Sequence, residues 1–375
     1  MKFPPPFKFI IFGLSVFILA IIAFFSVVLV VPFDDVPDDD ENYLAIEYLV
    51  TTEADLEEGG EALGQLYVAS SGGSAILRFE NPSEVDGDTP YSARITGDSS
   101  TILRPRFMHL DAENDRFYLA NHQVNNILVF DDISTLSGDL DVKPDRTIES
   151  SSFDKVIDVV INLETDEMYI SNMNGKNILV FNDASTIDGE VVPDRIISTT
   201  PSLNKPHGLY LDTTNDSLYV ADLANHEVKV LDGVSELDGE VVPSRTLTGS
   251  ATSLNQPIYI QMDIGEDLLI VGNRDGVSMN VYADATSIDG NVAPIRMVAG
   301  SETTFDRPHQ IFYLESEDEL YVANAFEGTV VIFSDFSNAD GNIAPSRIIT
   351  GAQTGLDPIN ENATSAAGIA VDMSR

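Results

Sequence analysis

The sequence predicts an all-β fold: a six-bladed β-propeller closed by its own two ends and preceded by one transmembrane helix. Three observations carry this. One short apolar strand recurs six times, as Leu66-Tyr67-Val68-Ala69-Ser70, Phe117-Tyr118-Leu119-Ala120-Asn121, Met168-Tyr169-Ile170-Ser171-Asn172, Leu218-Tyr219-Val220-Ala221-Asp222, Leu269-Ile270-Val271-Gly272-Asn273 and Leu320-Tyr321-Val322-Ala323-Asn324. The first residues of successive copies lie 51, 51, 50, 51 and 51 positions apart. A period this strict makes each copy one unit that buries its apolar face against its neighbours. The body also lacks helical periodicity, showing β-branched runs cut by Gly, Pro, Asn and Asp. Finally, the two ends of the body are complementary fragments of one unit.

The N-terminal segment comes first. Residues 9–33 carry no charge and consist mainly of Ile, Phe, Val and Leu, and about 20 such residues span a bilayer core. Lys2 and Lys8 precede the run and an acidic stretch, residues 34–41, follows it. The positive flank is retained inside, which places the rest of the chain on the extracytoplasmic side, periplasmic or at the cell surface. A cleaved signal peptide is the competing reading, but its apolar core is about 7–15 residues and is followed by a small-x-small site. Val27-Val28-Leu29-Val30-Val31 offers none. Residues 1–33 are therefore read as a cytoplasmic stub and anchor, and 34–65 as an acidic linker with low hydrophobicity and a Gly59-Gly60 pair. Residues 66–375 form the propeller.

Within one unit, residues 206–212 (Pro-His-Gly-Leu-Tyr-Leu-Asp) read as a first strand ended by the turn Thr213-Thr214-Asn215-Asp216. Residues 218–222 and 227–231 follow as second and third strands. The turn-rich segment 238–243 leads to a fourth strand at 245–248. Four antiparallel strands make one blade, and six blades arranged radially make the propeller. The chain ends Ala367-Gly368-Ile369-Ala370-Val371-Asp372, a first strand with no followers, while the body begins at Leu66 with a second strand that has no first. Joining the two closes the ring and removes exposed sheet edges. A linear solenoid would instead need polar caps.

Pro206-His207-Gly208, residues 218–222, Asn225-His226 and Val228-Lys229-Val230 together resemble an NHL repeat, with Glu227 where that repeat usually has Arg. The spacing extends the resemblance from Leu66 to Arg375. It implies a propeller of the NHL and gluconolactonase-like group, in which the first strand of each blade lines a central channel. The residue after the opening Pro then lies at the channel mouth, giving Ala367, Arg106, Ile157, His207, Ile258 and His309. On the same face stand the ends of the second strands: Ser70, Asn121, Asn172, Asp222, Asn273 and Asn324.

These positions define the candidate chemistry. His207 and His309 lie two blades apart and face one another across the channel, where neutral imidazoles suit a divalent metal. The resemblance to the amidating-enzyme lyase of this fold group implies a His-ligated zinc, and the gluconolactonase-like relatives imply an oxygen-ligated cation such as calcium. Here Arg106, Ile157 and Ile258 hold the positions where oxygen ligands would stand, and Arg beside a hard cation is unfavourable. Asp222 is the one carboxylate among the second-strand ends, in the blade that also carries His207, so a general-base pair is the reading to test. The Asn ring itself reads as loop capping. The repeated Asp-Gly at 86–87, 188–189, 238–239, 289–290 and 340–341 reads as a turn after a short capped helical turn. Arg146, Arg195, Arg245, Arg296 and Arg347 are expected to pair with those carboxylates between blades.

Bulk composition excludes several classes. The net charge is −41, from 61 acidic and 20 basic residues, and phosphate backbones need clustered Lys and Arg, so nucleic acid is excluded as a partner. There is no Cys, which removes disulfides, thiolate metal sites and a Cys nucleophile. No Gly-x-Ser-x-Gly elbow, His-Glu-x-x-His or phosphate loop occurs. The function expected is that of a monomeric, membrane-anchored, extracytoplasmic module that binds a protein or small-molecule ligand at the mouth, through Arg106, His122, His207, Asp222, Arg274 and His309. The alternative is a metal-dependent lyase or hydrolase using His207 and His309.

Overall fold

The computed structural model describes residues 64–356 and 365–375. The proposed anchor at 9–33 and nearly all of the linker lie outside the described residues. Among those described, no helix is long and apolar enough to cross a membrane.

Six antiparallel sheets follow one another, each built in the order first, second, third, fourth strand. Blade 4 shows the pattern: Pro206–Asp212, Ser217–Asp222, Glu227–Asp232 and Arg245–Leu247. Each second strand is buried along nearly all of its length because it lies between two strands of its own sheet and between two neighbouring sheets. The repeated Tyr of that strand (Tyr67, Tyr118, Tyr169, Tyr219, Tyr321) is at most 2 % exposed. Tyr118, Tyr219 and Tyr321 donate across to a carbonyl of the following blade, from Ala184, Ala285 and Pro82.

Blade 1 is assembled from both ends of the chain, as the sequence requires. Ala366–Asp372 pairs antiparallel with Gln65–Ser70 in the register Leu66↔Val371, Val68↔Ile369. Every residue of that closing strand is buried.

The blades are latched at their outer edges by a device the sequence shows only in part. The Asp-Gly segment of five blades, and Ser137-Gly138 of blade 2, reaches to the fourth strand of the blade before it and pairs parallel. Gly138, Gly189 and Gly239 do so as short strands, and Gly87, Gly290 and Gly341 as single bridges. All six glycines sit at φ between +61° and +76°, and a Cβ there would meet nothing. The requirement is therefore the left-handed backbone and not space. The Asp side chain accepts a backbone N–H of the preceding blade: Thr147 to Asp188, Ile196 to Asp238, Thr246 to Asp289, Met297 to Asp340 and Ile348 to Asp86, at 2.8–3.0 Å.

Two expectations are corrected here. The outer arginines do bridge blades, but their partners are carbonyls of the next blade's helical turn and not the Asp-Gly carboxylates. Arg195 donates to Val234 O and Leu237 O at 2.7 and 2.8 Å, and Arg296 to Phe336 O and Ala339 O at 2.6 and 3.0 Å. Val234 O and Phe336 O also accept the N–H that closes their own turn, from Leu237 and Ala339, so the guanidinium adds a second donor there while it binds the last carbonyl of the turn. Nor is the helical turn capped by the Asp just before it, since Asp132 and Asp335 are left-handed and make no cap bond. The cap comes from the first hairpin of the same blade: Asp318 accepts Ser337 N and Oγ, as Asp166 does for Ser185.

Candidate functional site: the channel mouth

The mouth is built on a repeated capping bond. At the end of each second strand, Asn121, Asn172, Asn273 and Asn324 accept a backbone N–H from the loop 18 residues earlier, at 2.6–3.0 Å. Asp222 does the same for Asn204 at 2.8 Å. These side chains are almost fully buried. Each bond holds the loop that leads into the next first strand, and so sets where the residue after the opening Pro comes to lie.

Asp222 is therefore a loop cap and not part of the mouth. It is fully buried, binds Asn204 and Asn225, and burial raises its carboxyl to about 6. His207 turns its Nδ1 to the Lys205 carbonyl at 3.0 Å. The Asp222–His207 base pair considered from sequence is not what either side chain is engaged in.

The other five predicted residues converge. Arg106, His122, His207, Arg274 and His309 line one cavity of about 240 Å³, walled by Phe107, Ile157, Ile258, Met173 and Phe326. Ala367, the blade 1 equivalent, is not among its lining. The cavity draws on two positions per blade: the residue after the opening of the first strand, and the residue just beyond the second-strand cap, as with His122, Met173 and Arg274. Arg106 Nη1 lies 3.4 Å from His309 Nε2. Arg274 donates to Gln256 Oε1 at 3.1 Å, and its Nε is 3.8 Å from Asp275.

All three imidazoles point Nδ1 at a carbonyl: His122 at Val156 O, His207 at Lys205 O and His309 at Arg307 O, at 2.9–3.0 Å. A carbonyl only accepts, so Nδ1 carries the proton and Nε2 is left as an acceptor. Burial, then the nearby guanidiniums, lower His122 to about 4. The same causes lower His207 to about 3 and push His309 well down. At neutral pH the cavity thus holds two guanidinium cations and three neutral rings. Burial, then Arg274 and Arg104, lower Arg106 to about 10, which still leaves it charged.

These residues do not fit zinc or calcium. The threefold-related positions in blades 2, 4 and 6 are Arg106, His207 and His309, so a tripod of ligands across the channel would have a guanidinium as its third member. Guanidinium has no lone pair to give, and its N–H already faces the His309 Nε2 that a metal would need. Among the described residues, no three His, Cys, Asp or Glu side chains come together as a metal site.

Below the mouth the channel is filled. Phe107 stacks edge-on to Tyr259 at 5.0 Å. Gln310 ties the blades together, accepting Met108 N and Ile369 N and donating to Met108 O and Tyr259 Oη, at 2.8–3.2 Å. A second, more apolar cavity of about 360 Å³ lies on the far side of this plug, with His109 and Tyr210 in its wall. Asp158 is fully buried beside the plug, accepting Leu209 N at 2.7 Å, and burial raises its carboxyl well above the usual range.

Sequence reasoning missed a further set at the rim. The residue immediately before each opening Pro or its equivalent is Arg104, Lys155, Lys205, Gln256 and Arg307, recurring at the same 50–51-residue spacing. With Arg106 and Arg274 this places six of the chain's 20 Lys and Arg residues at one end of the channel. The signal was legible in the period itself. Asp154, Asp275 and Asp306 stand in the same loops, so the rim is mixed in charge, whereas no Asp or Glu lines the cavity.

Comparisons agree with the fold. Residues 203–231 match the NHL repeat, the same unit from which the resemblance was read. No curated protein sequence matches the chain. Among solved structures, the nidogen/laminin complex contains a chain 12 % identical that aligns with a TM-score of 0.58 over 83 % of this chain and 99 % of that one. A putative 6-phosphogluconolactonase from Bacteroides uniformis is 13 % identical, with a TM-score of 0.53 over 79 % and 84 %. A functionally unknown protein from Desulfotomaculum acetoxidans is 11 % identical, with a TM-score of 0.51 over 83 % and 86 %. At such identities the likeness is one of fold.

Proposed function

We propose that the protein is a binding module held on the extracytoplasmic side of a membrane by residues 9–33, with the channel mouth as its ligand face. The observation that carries the reading is the convergence of Arg106, His122, His207, Arg274 and His309 on one cavity. A repeating scaffold gives equivalent positions equivalent residues unless something else selects them, and here the polar side chains gather in blades 2, 4, 5 and 6. Interaction through loop-bearing ends is the usual work of NHL propellers, and the loops that position this cavity are fixed by buried caps and not by ligand. A metal-dependent lyase or hydrolase has no support from the donor set described above.

The full chain in its own membrane should retain a ligand or partner that an Arg106→Gln/His309→Ala double variant of equal thermal stability releases. A partner held equally well by the double variant refutes the mouth as the ligand face. The anchor is tested separately. Carbonate extraction should leave the chain in the membrane, and protease added from outside should reach the propeller.

A further inference from the structure

We infer that the ligand of the mouth is a small organic oxyanion, its carboxylate or phosphate seated between Arg106 and Arg274; this rests on the mouth being the ligand face. The chain carries 61 acidic residues and yet this polar cavity is lined by two guanidiniums and no carboxylate. Elsewhere in the fold the arginines are used differently. Arg195, Arg245 and Arg347 each meet an Asp or Glu within 2.7 Å, and their forks satisfy helical-turn carbonyls. Arg274 meets a carboxylate no closer than Asp275, at 3.8 Å and through Nε, and donates at 3.1 Å to the neutral Gln256 Oε1.

Planar guanidiniums bind carboxylate and phosphate oxygens through parallel N–H donors, and apolar walls that displace water from beside them strengthen the attraction. Ile157, Ile258, Met173 and Phe326 supply such walls. The volume, about 240 Å³, equals roughly eight liquid waters at about 30 Å³ each. That admits a small acid and excludes a folded chain. The Nε2 acceptors of His122 and His207 favour a ligand that brings its own O–H or N–H donors beside the anionic group. Arg104 and Lys155 add field from the rim, whereas the −41 net charge repels anions at long range. Occupancy is accordingly local and short-ranged, and raising an inert salt should speed association.

Isothermal titration of the full chain in detergent with malonate and with inorganic phosphate tests this, with choline as the cation control. Saturable binding of one or both anions is expected, weakened at least tenfold in Arg274→Gln and in Arg106→Gln, and unchanged in Arg296→Gln at the outer edge. The malonate and phosphate arms tell a carboxylate site from a phosphate site. Arg274 is the safer variant because its side chain is 29 % exposed, and thermal melts matching the parent exclude misfolding. Absence of saturable anion binding, or binding indifferent to both mouth variants, overturns the inference. If a retained partner is lost in the double variant yet not displaced by either anion, the mouth remains the ligand face and the oxyanion assignment alone fails.

Discussion

Truncating one side chain in the closing strand measures how firmly the ring is sealed. Ile369 is fully buried and pairs with Val68, so the two ends of the described body meet through it. Ile311 is its counterpart in blade 6, equally buried and paired with Val322, but with both strands in continuous chain. Ile→Ala removes three carbons, about 2.4 kcal/mol at ~0.8 kcal/mol per buried methylene. A cavity contribution of about 1–2 kcal/mol brings the expected loss to roughly 4 kcal/mol, within the usual range for such truncations. If the closing strand is as fixed as an interior one, Ile369→Ala and Ile311→Ala should cost the same within about 1 kcal/mol. If blade 1 opens locally, the cost at Ile369 is capped at the free energy of that opening. Urea unfolding followed by circular dichroism gives both values, with equal slopes required for the comparison. An Ile369→Ala variant within ~0.5 kcal/mol of the parent, beside an Ile311→Ala variant that loses the full amount, would refute a sealed ring.

The latch between blades 1 and 2 is the deviant one. In it Gly138 pairs with Ala93, at the position of the outer Arg, whereas Gly189 and Gly239 pair two residues further along the fourth strand, with Ile148 and Ile197, so Asp139 stands opposite Arg94; Arg78 from the third strand reaches the carbonyls of Ile133 and Ser134. Asp222→Asn should make blade 4 like its neighbours, with Lys229 still held by Glu227 at 2.7 Å. The folded carboxyl is raised to about 6, above an unfolded value of about 3.9. Its favourable contribution is therefore present below pH 3.9 and lost as pH rises through 6. The Asn variant should gain on the parent by about 2–3 kcal/mol between those limits, and pH-dependent melts that run parallel would disprove it. Deleting residues 366–375 removes a wholly buried strand and should abolish cooperative unfolding; a cooperative melt at the parental temperature would contradict closure.

The period alone made the scaffold legible, because one strand repeated six times leaves a single way to bury every copy. The complementary end fragments gave the closure. The mouth followed from position counting, and Arg106, His122, His207, Arg274 and His309 do meet there. Asp222 misled because a carboxylate among four asparagines looks like a departure selected for chemistry, when its oxygens make the same capping bond as the amides. The outer arginines misled for a related reason. In so acidic a chain a carboxylate is the obvious partner, and Arg195, Arg245 and Arg347 do meet one, but it is Glu167, Asp232 or Glu319 of the same blade; the bond between blades goes to carbonyls of the next blade, and the Asp-Gly carboxylates accept backbone N–H groups instead. Phe107, Asp158, Tyr259 and Gln310 share one repeat position, where blade 4 has Gly208, so the period marks the place of the plug, but the contacts that these residues make between blades cannot be read along one chain.

Where the repeat is broken, the breaks follow the symmetry of the ring. Blades 2, 4 and 6 place Arg106, His207 and His309 at threefold-related positions, an arrangement that would suit a cation if all three were imidazole. A single guanidinium reverses the sign. It occupies the lone pair of His309 at 3.4 Å and, after burial itself, helps hold every ring neutral, Arg274 adding to this at His207 and His309. The rings then contribute acceptors, the guanidiniums contribute charge, and the cavity becomes selective for a ligand with both an anionic group and donors of its own. An acidic coat around such a cavity sharpens this, since at short range only the mouth attracts an anion while the rest of the surface turns it away.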